Sequence, residues 1–300
     1  MNVAVDLAYT LIRAVDPLLK NSVLLCHGLF GSKQNWKSMS RALHKDRCGS
    51  ICAVDLRNHG LSPRSTDMSL LSMAYDIIKV VNDLKLQDVC LVGHSLGGKA
   101  AMCAALLESA KFSRMIVLDS SPVPASQHSI MRYLKLMLNT DLYRAERESD
   151  GSLGGVRQWL SDHWKDHILD DRIRSFLLTN LDQSGKDFVW RVNLPVLESC
   201  WHAIMKFPTT ELQGRVFENP ALFVAGGRSD HLKLSDFPEI LPYFPNNRFV
   251  CIRNAGHWLH ADEPYAVLSL ISQFIKCPTF ELTVDGVEDM TEQAHNYTAT

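Results

Sequence analysis

The chain has 300 residues, of which 46% are hydrophobic and 21% are charged, as is ordinary for a globular protein with a sizeable core. Its 31 Lys and Arg residues nearly balance 33 Asp and Glu residues, without a basic or acidic run, which argues against nucleic acid as a partner. Because no apolar stretch reaches the roughly 18 residues of a membrane-spanning helix, we expect no integral membrane segment.

The first residues, MNVAVDLAYTLIRAVDP, do not have the pattern of a targeting sequence. They lack the basic start and long apolar core of a secretory signal, and they carry two aspartates that a mitochondrial presequence would avoid. Cys26, Cys52, Cys90 and Cys251 lie inside apolar runs, where buried thiols are expected rather than disulfides. The sequence therefore predicts an intracellular protein in a reducing compartment, such as the cytoplasm.

Short apolar runs alternate with amphipathic stretches along the chain. The runs are apolar at consecutive positions, as expected for parallel strands that are covered by helices on both faces. In chain order they are SVLLCHG (22–28), SICAVDL (50–56), DVCLVGHS (88–95), RMIVLDS (114–120), ALFVAGG (221–227) and RFVCIRNAG (248–256). Helical spacing follows at Leu70–Leu86, Leu96–Ala110 and Pro264–Lys276, and residues 3–12 resemble an antiparallel edge strand. This alternation predicts an α/β protein with a mostly parallel, doubly wound sheet.

The segment between the fourth and fifth runs has no strand-like run, and its apolar residues recur at helical spacing. Four helical segments are predicted there, at 129–145, 155–164, 170–181 and 195–207. Because ligands bind at the carboxyl edge of open α/β sheets, we interpret residues 122–219 as a helical cap over that edge. Residues 1–121 and 220–277 then form the core, and the polar residues 278–300 form a flexible C-terminal tail.

A motif typical of serine nucleophiles lies where the strand VCLVG meets the helix LGGKAAMCAALLESA. Gly93-His94-Ser95-Leu96-Gly97 matches G-x-S-x-G. The sharp strand-to-helix turn needs both glycines, because side chains there would collide across the turn. It also presents the hydroxyl at a helix N-terminus, whose amides favour developing negative charge. A helix-capping serine would explain Ser95 but not the glycines, so we interpret Ser95 as a nucleophile.

A serine nucleophile needs a base, and His257 is the best placed of twelve histidines. It follows the last predicted strand, in NAGHWLH, on a loop at the sheet edge where Ser95 also lies. We interpret His260 as a loop or capping residue, and His27 and His94 as residues that pack or hydrogen-bond locally. Seven of the others lie on predicted helices or loops, where most are expected to be solvated: His44, His59, His128, His163, His167, His202 and His231.

Two aspartates compete for the role of the acid that fixes the imidazole tautomer. Asp119 ends the strand MIVLD, which directly follows the helix after Ser95. Asp230 completes a G-x-x-D turn (227–230) after the next strand, which is the usual place of the acid in such folds. If the turn is counted from Gly226 instead, Ser229 occupies the position of the acid, and Asp119 is then the residue that must act as the acid. We place Asp119 first and keep Asp230 as the alternative.

The loop HGLFG, after the first apolar run, can direct backbone amides at the oxygen of a tetrahedral intermediate. We predict the N–H groups of Leu29 (alternatively Phe30) and Leu96 as the oxyanion donors, each typically worth about 3 kcal/mol of transition-state stabilisation. Asp55 and Arg57, which follow the second run, are interpreted as a local ion pair that fixes the turn beside the site.

Several longer motifs resemble the α/β-hydrolase domain-containing protein 11 group and similar bacterial acyl esterases. The motifs are HGLFGSKQNW, VDLRNHGLSP, LVGHSLGGKAAM, VLDSSPV, FLLTNL, FVWRVNL and NAGHWLHADEP. The resemblance runs from about Leu7 to Lys276. It implies the α/β-hydrolase fold with a helical cap, Ser95 and His257 as catalytic residues, and ester or lipid-ester substrates.

The resemblance also implies a mitochondrial location, which is that of the animal members of the group. This chain starts almost at its first strand, and no presequence is visible before it. It also departs from the group at Pro195, where relatives can carry an aspartate proposed as the acid. Because proline cannot act as an acid, the acid must be either Asp119 or Asp230.

Together these patterns predict a serine hydrolase that cleaves carboxylic ester bonds, including lipid esters or thioesters, through an acyl-enzyme on Ser95. The reaction requires no metal or organic cofactor. Because the acid is ambiguous, the alternative is a catalytically weak protein of the same fold that binds an acyl ligand or a protein partner. Dehalogenase or epoxide-hydrolase chemistry would need an aspartate in place of Ser95.

Overall fold

The computed structural model describes residues 3–16, 18–124, 128–277 and 283–297. The strands in these ranges are β1 Tyr9–Ile12, β2 Asn21–Cys26, β3 Ser50–Val54, β4 Gln87–His94, β5 Phe112–Leu118, β6 Leu181–Ser184, β7 Asp187–Trp190, β8 Ala221–Gly226, β9 Asn247–Ile252 and β10 Val287–Asp289. The α-helices are α1 Lys37–Lys45, α2 Leu70–Asp83, α3 Leu96–Leu107, α4 His128–Leu138, α5 Leu142–Arg147, α6 Leu153–His163, α7 Asp171–Leu178, α8 Leu194–Ser199, α9 Trp201–Met205, α10 Phe237–Ile240, α11 Leu259–Asp262, α12 Pro264–Lys276 and α13 Thr291–Tyr297.

Eight of the strands form one sheet in the order β1-β3-β2-β4-β5-β8-β9-β10. The six inner strands run parallel, whereas β1 pairs antiparallel with β3 and β10 pairs antiparallel with β9. All six apolar runs form the predicted parallel strands, and β1 is the antiparallel edge predicted within residues 3–12. The prediction of a mostly parallel α/β sheet is confirmed.

The central strands are buried on both faces because helices cover both sides of the sheet. Successive side chains of a strand point to opposite faces. In β2, Leu24 and Cys26 pack toward α2 and α3, whereas Val23 and Leu25 pack toward α1 and α12. All four side chains are fully buried. This two-sided packing explains why the runs are apolar at every position rather than at alternate ones.

The described residues between β5 and β8 (119–124 and 128–220) contain six helices, α4 to α9, and a β-hairpin. The predicted helical segments are present, but the expectation of a segment without strands is wrong. β6 and β7 pair antiparallel around the two-residue loop Gly185-Lys186, where Gly185 has a φ of +65°. A two-residue loop with positive φ is the usual closure of a hairpin. Each strand has only four residues, which is too short for its periodicity to stand out from the helical pattern.

The C-terminal residues 283–297, predicted as part of a flexible tail, form ordered structure against the core. β10 extends the sheet beyond β9, and α13 follows it with Ala294 fully buried. Thr291 at the start of α13 ties this helix to β9, because its hydroxyl oxygen accepts the Phe249 N–H at 3.0 Å. The tail escaped detection because its strand has three residues and its helix buries only a small side chain. The remaining predicted tail residues, 278–282 and 298–300, lie outside the described ranges.

The expected ion pair between Asp55 and Arg57 is absent, and each residue has another partner. Arg57 binds Asp76 of α2 through two hydrogen bonds of 2.7 and 2.8 Å, and both side chains are buried. Asp55 accepts the Lys33 N–H at 2.6 Å and pairs with the Lys33 ammonium. Both pairs join parts of the chain that are 19 and 22 positions apart.

Replacing Asp76 by alanine removes the directly hydrogen-bonded carboxylate of the buried Arg57 guanidinium and leaves it only the half-exposed Asp67 carboxylate, 3.7 Å away. We expect Asp76→Ala to lower the free energy of unfolding by about 3–5 kcal/mol. Asp83→Ala, on the same helix, breaks the exposed pair with Lys79 and should cost less than about 1 kcal/mol. Urea denaturation measures both values, and equal losses in the two variants would contradict the importance given to the buried pair.

Candidate active site

Ser95 occupies a strained turn between β4 and α3, with φ 53° and ψ −117°. The turn is closed by backbone contacts that leave no room for side chains. A Cβ atom on Gly93 would lie 2.3 Å from the Gly97 carbonyl oxygen, and one on Gly97 would lie 2.5 Å from that of His27. The Ser95 N–H donates to the Leu118 carbonyl at 3.0 Å, which ties the turn to the end of β5. This is the sharp strand-to-helix turn that the sequence predicts around Ser95, and such a turn is known as a nucleophile elbow.

His257 bridges Ser95 and Asp119. Its Nε2 lies 3.0 Å from Ser95 Oγ, and its Nδ1 lies 2.7 Å from Asp119 Oδ2. Because a carboxylate accepts hydrogen bonds only, Nδ1 carries the hydrogen and Nε2 faces the hydroxyl as an acceptor. Asp119 is fully buried, whereas the imidazole is 13% exposed. This arrangement can pass the hydroxyl proton to the imidazole.

Asp119 is held by hydrogen bonds that come from the strand next to its own. Its Oδ1 accepts the Gly226 N–H at 3.1 Å, and its Oδ2 also accepts the Ser229 hydroxyl. Its own N–H donates to the Val224 carbonyl at 2.8 Å, in a turn where Asp119 has a φ of +50°. Ser229 therefore occupies the usual position of the acid after β8, as the register counted from Gly226 requires. Its hydroxyl donates a hydrogen bond to Asp119, which lies in the place of the acid.

Asp230, the alternative acid, lies apart from this chain of hydrogen bonds. Its side chain is 79% exposed and pairs with Lys233 at 2.9 Å, which holds the pKa of the carboxyl below its usual value. The turn points Ser229 inward, so the next residue faces solvent. The structure thus places Asp119, and not Asp230, beside His257.

The loop that carries His257 is fixed from two sides. His94 donates from Nε2 to the His257 carbonyl at 2.8 Å, and Asp262 accepts the Gly256 N–H at 2.8 Å. The ring of His260 stacks on Trp36 and meets His94 edge-on. His94 therefore bonds to a distant loop rather than locally, and His260 packs in the site rather than capping a solvated turn.

His231 is a member of the site that the sequence interpretation missed. Its ring stacks on that of His257, with centroids 3.6 Å apart and planes inclined by 19°. Burial is the main cause that lowers the pKa of His231 to about 4, and the neighbouring His257 is the second cause. The available signal was its position: His231 directly follows the turn after β8, at the same sheet edge as the other site residues.

Histidines around His257 are uncharged near pH 7, and burial is the main reason. It lowers the pKa of His260 to about 4 and that of His94 well below its usual value, with the neighbouring histidines adding to both shifts. No protonated histidine among these neighbours therefore opposes the positive charge that His257 gains when it takes a proton.

Two backbone N–H groups beside Ser95 are available to an incoming oxygen. Within the described residues, the amides of Leu29 and Leu96 have no acceptor. Phe30, the alternative donor, is already committed, because its N–H donates to His59 Nε2 at 3.2 Å. His59 in turn bonds the Arg57 carbonyl through Nδ1 at 3.0 Å, and it is fully buried rather than solvated. His59 thus fixes the HGLFG loop.

Two cavities meet at Ser95. We call the first the aromatic compartment; it is lined by His257, Trp258, Phe176, Tyr133 and Phe30, among others. We call the second the lysine compartment; it shares Leu29, Ser95 and Ile130 with the first but is not lined by His257. Its polar wall is formed by Lys99, Ser120, Ser121 and His231, and its apolar wall includes Ile204 and Met205.

Residues between β5 and β8 line part of both compartments, and this segment contacts the core through a hydrogen bond and an ion pair. Asn180 donates to the Phe30 carbonyl at 2.8 Å, and Arg172 pairs with Asp262 at 3.1 Å. The second contact reaches the same carboxylate that holds the His257 loop. The inserted segment is therefore connected to both the HGLFG loop and the histidine loop.

Over the part of the chain that is described, no group of three or more His, Cys, Asp or Glu side chains is arranged to hold a metal ion. None of the helices in those ranges is long and apolar enough to cross a membrane.

The family model described as "alpha/beta hydrolase fold" matches residues 21–264, a span that includes Ser95, Asp119 and His257. The chain belongs to the α/β-hydrolase family. The protein named "sn-1-specific diacylglycerol lipase ABHD11" of Xenopus laevis is 34% identical over 273 residues, which cover 91% of this chain and 84% of that protein. The resemblance inferred from the motifs is confirmed.

Bacterial members of the family are similar as well. "Esterase YbfF" of Escherichia coli (strain K12) is 33% identical over 256 residues, which cover 84% of this chain and 92% of that protein. The solved structure of a "Marine microorganism esterase" has a TM-score of 0.80 and 28% identity, and the match covers 90% of this chain and all of that one.

Proposed function

We propose that this protein is a serine hydrolase that cleaves carboxylic ester bonds through an acyl-enzyme on Ser95. The observation that carries the proposal is the hydrogen-bonded chain from Ser95 through His257 to Asp119. The names of similar members of the family, a diacylglycerol lipase and esterases, support the same class of reaction.

In the first half of the reaction, His257 Nε2 takes the Ser95 proton while Oγ attacks the ester carbonyl carbon. Asp119 stabilises the imidazolium that forms and keeps its ring oriented. The carbonyl oxygen becomes an oxyanion, which the amides of Leu29 and Leu96 bind. When the bond to the leaving group breaks, Nε2 gives its proton to the departing oxygen or sulfur, and the acyl group remains on Ser95.

In the second half, His257 takes a proton from water, and the resulting hydroxide attacks the acyl-enzyme carbonyl. The tetrahedral intermediate collapses, the acid is released, and the proton on Nε2 returns to Ser95 Oγ. The strained backbone of Ser95 serves both halves, because it holds Oγ between the imidazole and the two amides throughout.

We assign the inserted residues 122–219 the role of a cap that selects the substrate, with residues 1–121 and 220–277 as the catalytic core. Phe176 and Tyr133, which line the aromatic compartment, come from this segment. Their apolar surface favours an ester with an apolar group, such as a lipid ester or a thioester with an apolar part. Lipid metabolism is accordingly the process in which we place the protein.

The alternative of a weakly catalytic scaffold is not favoured. Its motivation was the uncertain acid, and Asp119 lies within hydrogen-bond distance of His257 while accepting two further hydrogen bonds.

The nucleophile is tested directly by Ser95→Ala. We expect the variant to lose turnover of p-nitrophenyl esters by at least about 10³-fold and to lose labelling by a fluorophosphonate, because both need the hydroxyl. Ser65→Ala, a serine outside the site, is the control and should retain both. Unreduced ester turnover in folded Ser95→Ala protein would defeat the mechanism.

The acid is tested by a matched pair, Asp119→Asn and Asp230→Asn. Asparagine at 119 keeps the shape but removes the charge that favours the Nδ1–H tautomer, so kcat should fall by about 10³ to 10⁴-fold. The exposed Asp230 variant should stay within about twofold of the wild type. Steady-state ester hydrolysis measures both, and the reverse pattern would return the role to Asp230.

We also propose a mitochondrial location, supported by the resemblance to a group whose animal members are mitochondrial. Expressed from its complete gene with a C-terminal fluorescent tag, the protein should co-localise with a matrix marker. A signal spread evenly through the cytosol would contradict this proposal.

A further inference from the structure

Lys99 places a buried ammonium group beside the nucleophile. It lies one helical turn after Ser95 in α3, and its backbone N–H donates to the Ser95 carbonyl at 3.0 Å. Residues four apart lie on the same face of a helix, about 6 Å apart along the axis. Both side chains line the lysine compartment, where Lys99 is only 8% exposed.

Lys99 forms no direct ion pair within the described residues. Its Nζ donates to the carbonyls of Ser121 at 2.7 Å and Val123 at 3.0 Å, which uses two of its three hydrogens. Across the described ranges, no carboxylate lies within 4.0 Å of Nζ. The nearby Asp236 is engaged by the Ser121 hydroxyl at 2.9 Å. Burying a charge that has only neutral hydrogen-bond partners costs free energy, and an anionic group of a ligand that binds beside it reduces that cost.

The Lys99 amine is nevertheless largely protonated near neutral pH. Burial lowers its pKa to about 8, against the smaller opposing effects of Cys103 and Asp236. The compartment thus offers a cation and one unassigned N–H donor to a ligand that occupies it.

The position of His257 indicates which part of the substrate meets Lys99. Its Nε2 must protonate the leaving group, so the leaving group lies on the side lined by His257, which is the aromatic compartment. The acyl group then extends from Ser95 into the lysine compartment, between the apolar wall (Ile204, Met205) and the polar wall that contains Lys99.

We propose that Lys99 is a specificity-determining residue that binds a carboxylate at the far end of the acyl group. The preferred substrates are then half-esters of dicarboxylic acids, whose methylene chain contacts the apolar wall and whose alcohol or thiol part lies in the aromatic compartment. The inference rests on the proposed ester hydrolysis at Ser95 and adds the chemical class of the acyl group.

The test compares p-nitrophenyl half-esters of succinic, glutaric and adipic acid with neutral counterparts in which a methyl ester replaces the free carboxylate. In the wild-type protein, kcat/KM for the half-ester should exceed that for its neutral counterpart by about tenfold or more at one chain length, because a hydrogen bond between charged groups is gained. The chain length at the maximum reports how far the ammonium lies from the acyl carbon.

Lys99→Gln keeps a donor for the carbonyls of Ser121 and Val123 but removes the charge. It should lose the preference, so that its kcat/KM for the half-ester no longer exceeds its kcat/KM for the neutral counterpart. Lys45→Gln, the same change at an exposed lysine of α1, should keep the preference.

Hydrolysis of the neutral esters by the wild type without a preference for any half-ester would overturn this inference alone. A preference that survives in Lys99→Gln would also overturn it. If the wild type hydrolyses neither set, the proposed function fails as well. The wild-type comparison decides the matter even where Lys99→Gln does not fold.

Discussion

The contact between the start of α3 and the end of β2 determines the conformation of the turn that carries Ser95. Gly97 packs so closely on the carbonyls of Cys26 and His27 that a Cβ atom would lie 2.5–2.6 Å from them. The chain can make this approach only by turning sharply at Ser95, at a conformational cost of about 1–3 kcal/mol. Burial of α3 from Leu96 to Leu106 offsets that cost. The strained backbone at Ser95 and the close packing of α3 on the core therefore depend on each other.

Neutral histidines position the parts of the site that surround this turn. His59 fixes the loop that offers the Leu29 amide, and His94 fixes the loop that carries His257. Because both rings are buried, each donates through one nitrogen only and holds one tautomer. In the proposed reaction, charge then develops only on the groups that gain or lose a proton and on the oxyanion. The amides and neutral histidine rings around them are already in place before the reaction starts.

The parallel sheet, its antiparallel first edge and the elbow could be predicted because each depends on local pattern: consecutive apolar residues, or two glycines around a serine at a strand-to-helix turn. Asp119 could not be chosen over Asp230 with certainty, because the decision depends on which way the turn after β8 points. That direction places Ser229 against Asp119, a contact across 110 positions of sequence. The stack of His231 on His257 and the partners of Arg57 and Asp55 also depend on tertiary contacts, and short elements such as β6, β7 and β10 carry too few residues to reveal a period.

The antiparallel strands at the two ends of the sheet have a consequence for how copies of the chain meet one another. β1 has four residues and β10 has three, so each outer margin exposes few unpaired backbone groups. A long, bare parallel strand at either margin would be a template for pairing with a second molecule, and short outer strands remove that template. Both short strands thereby protect the central strands from intermolecular β-aggregation.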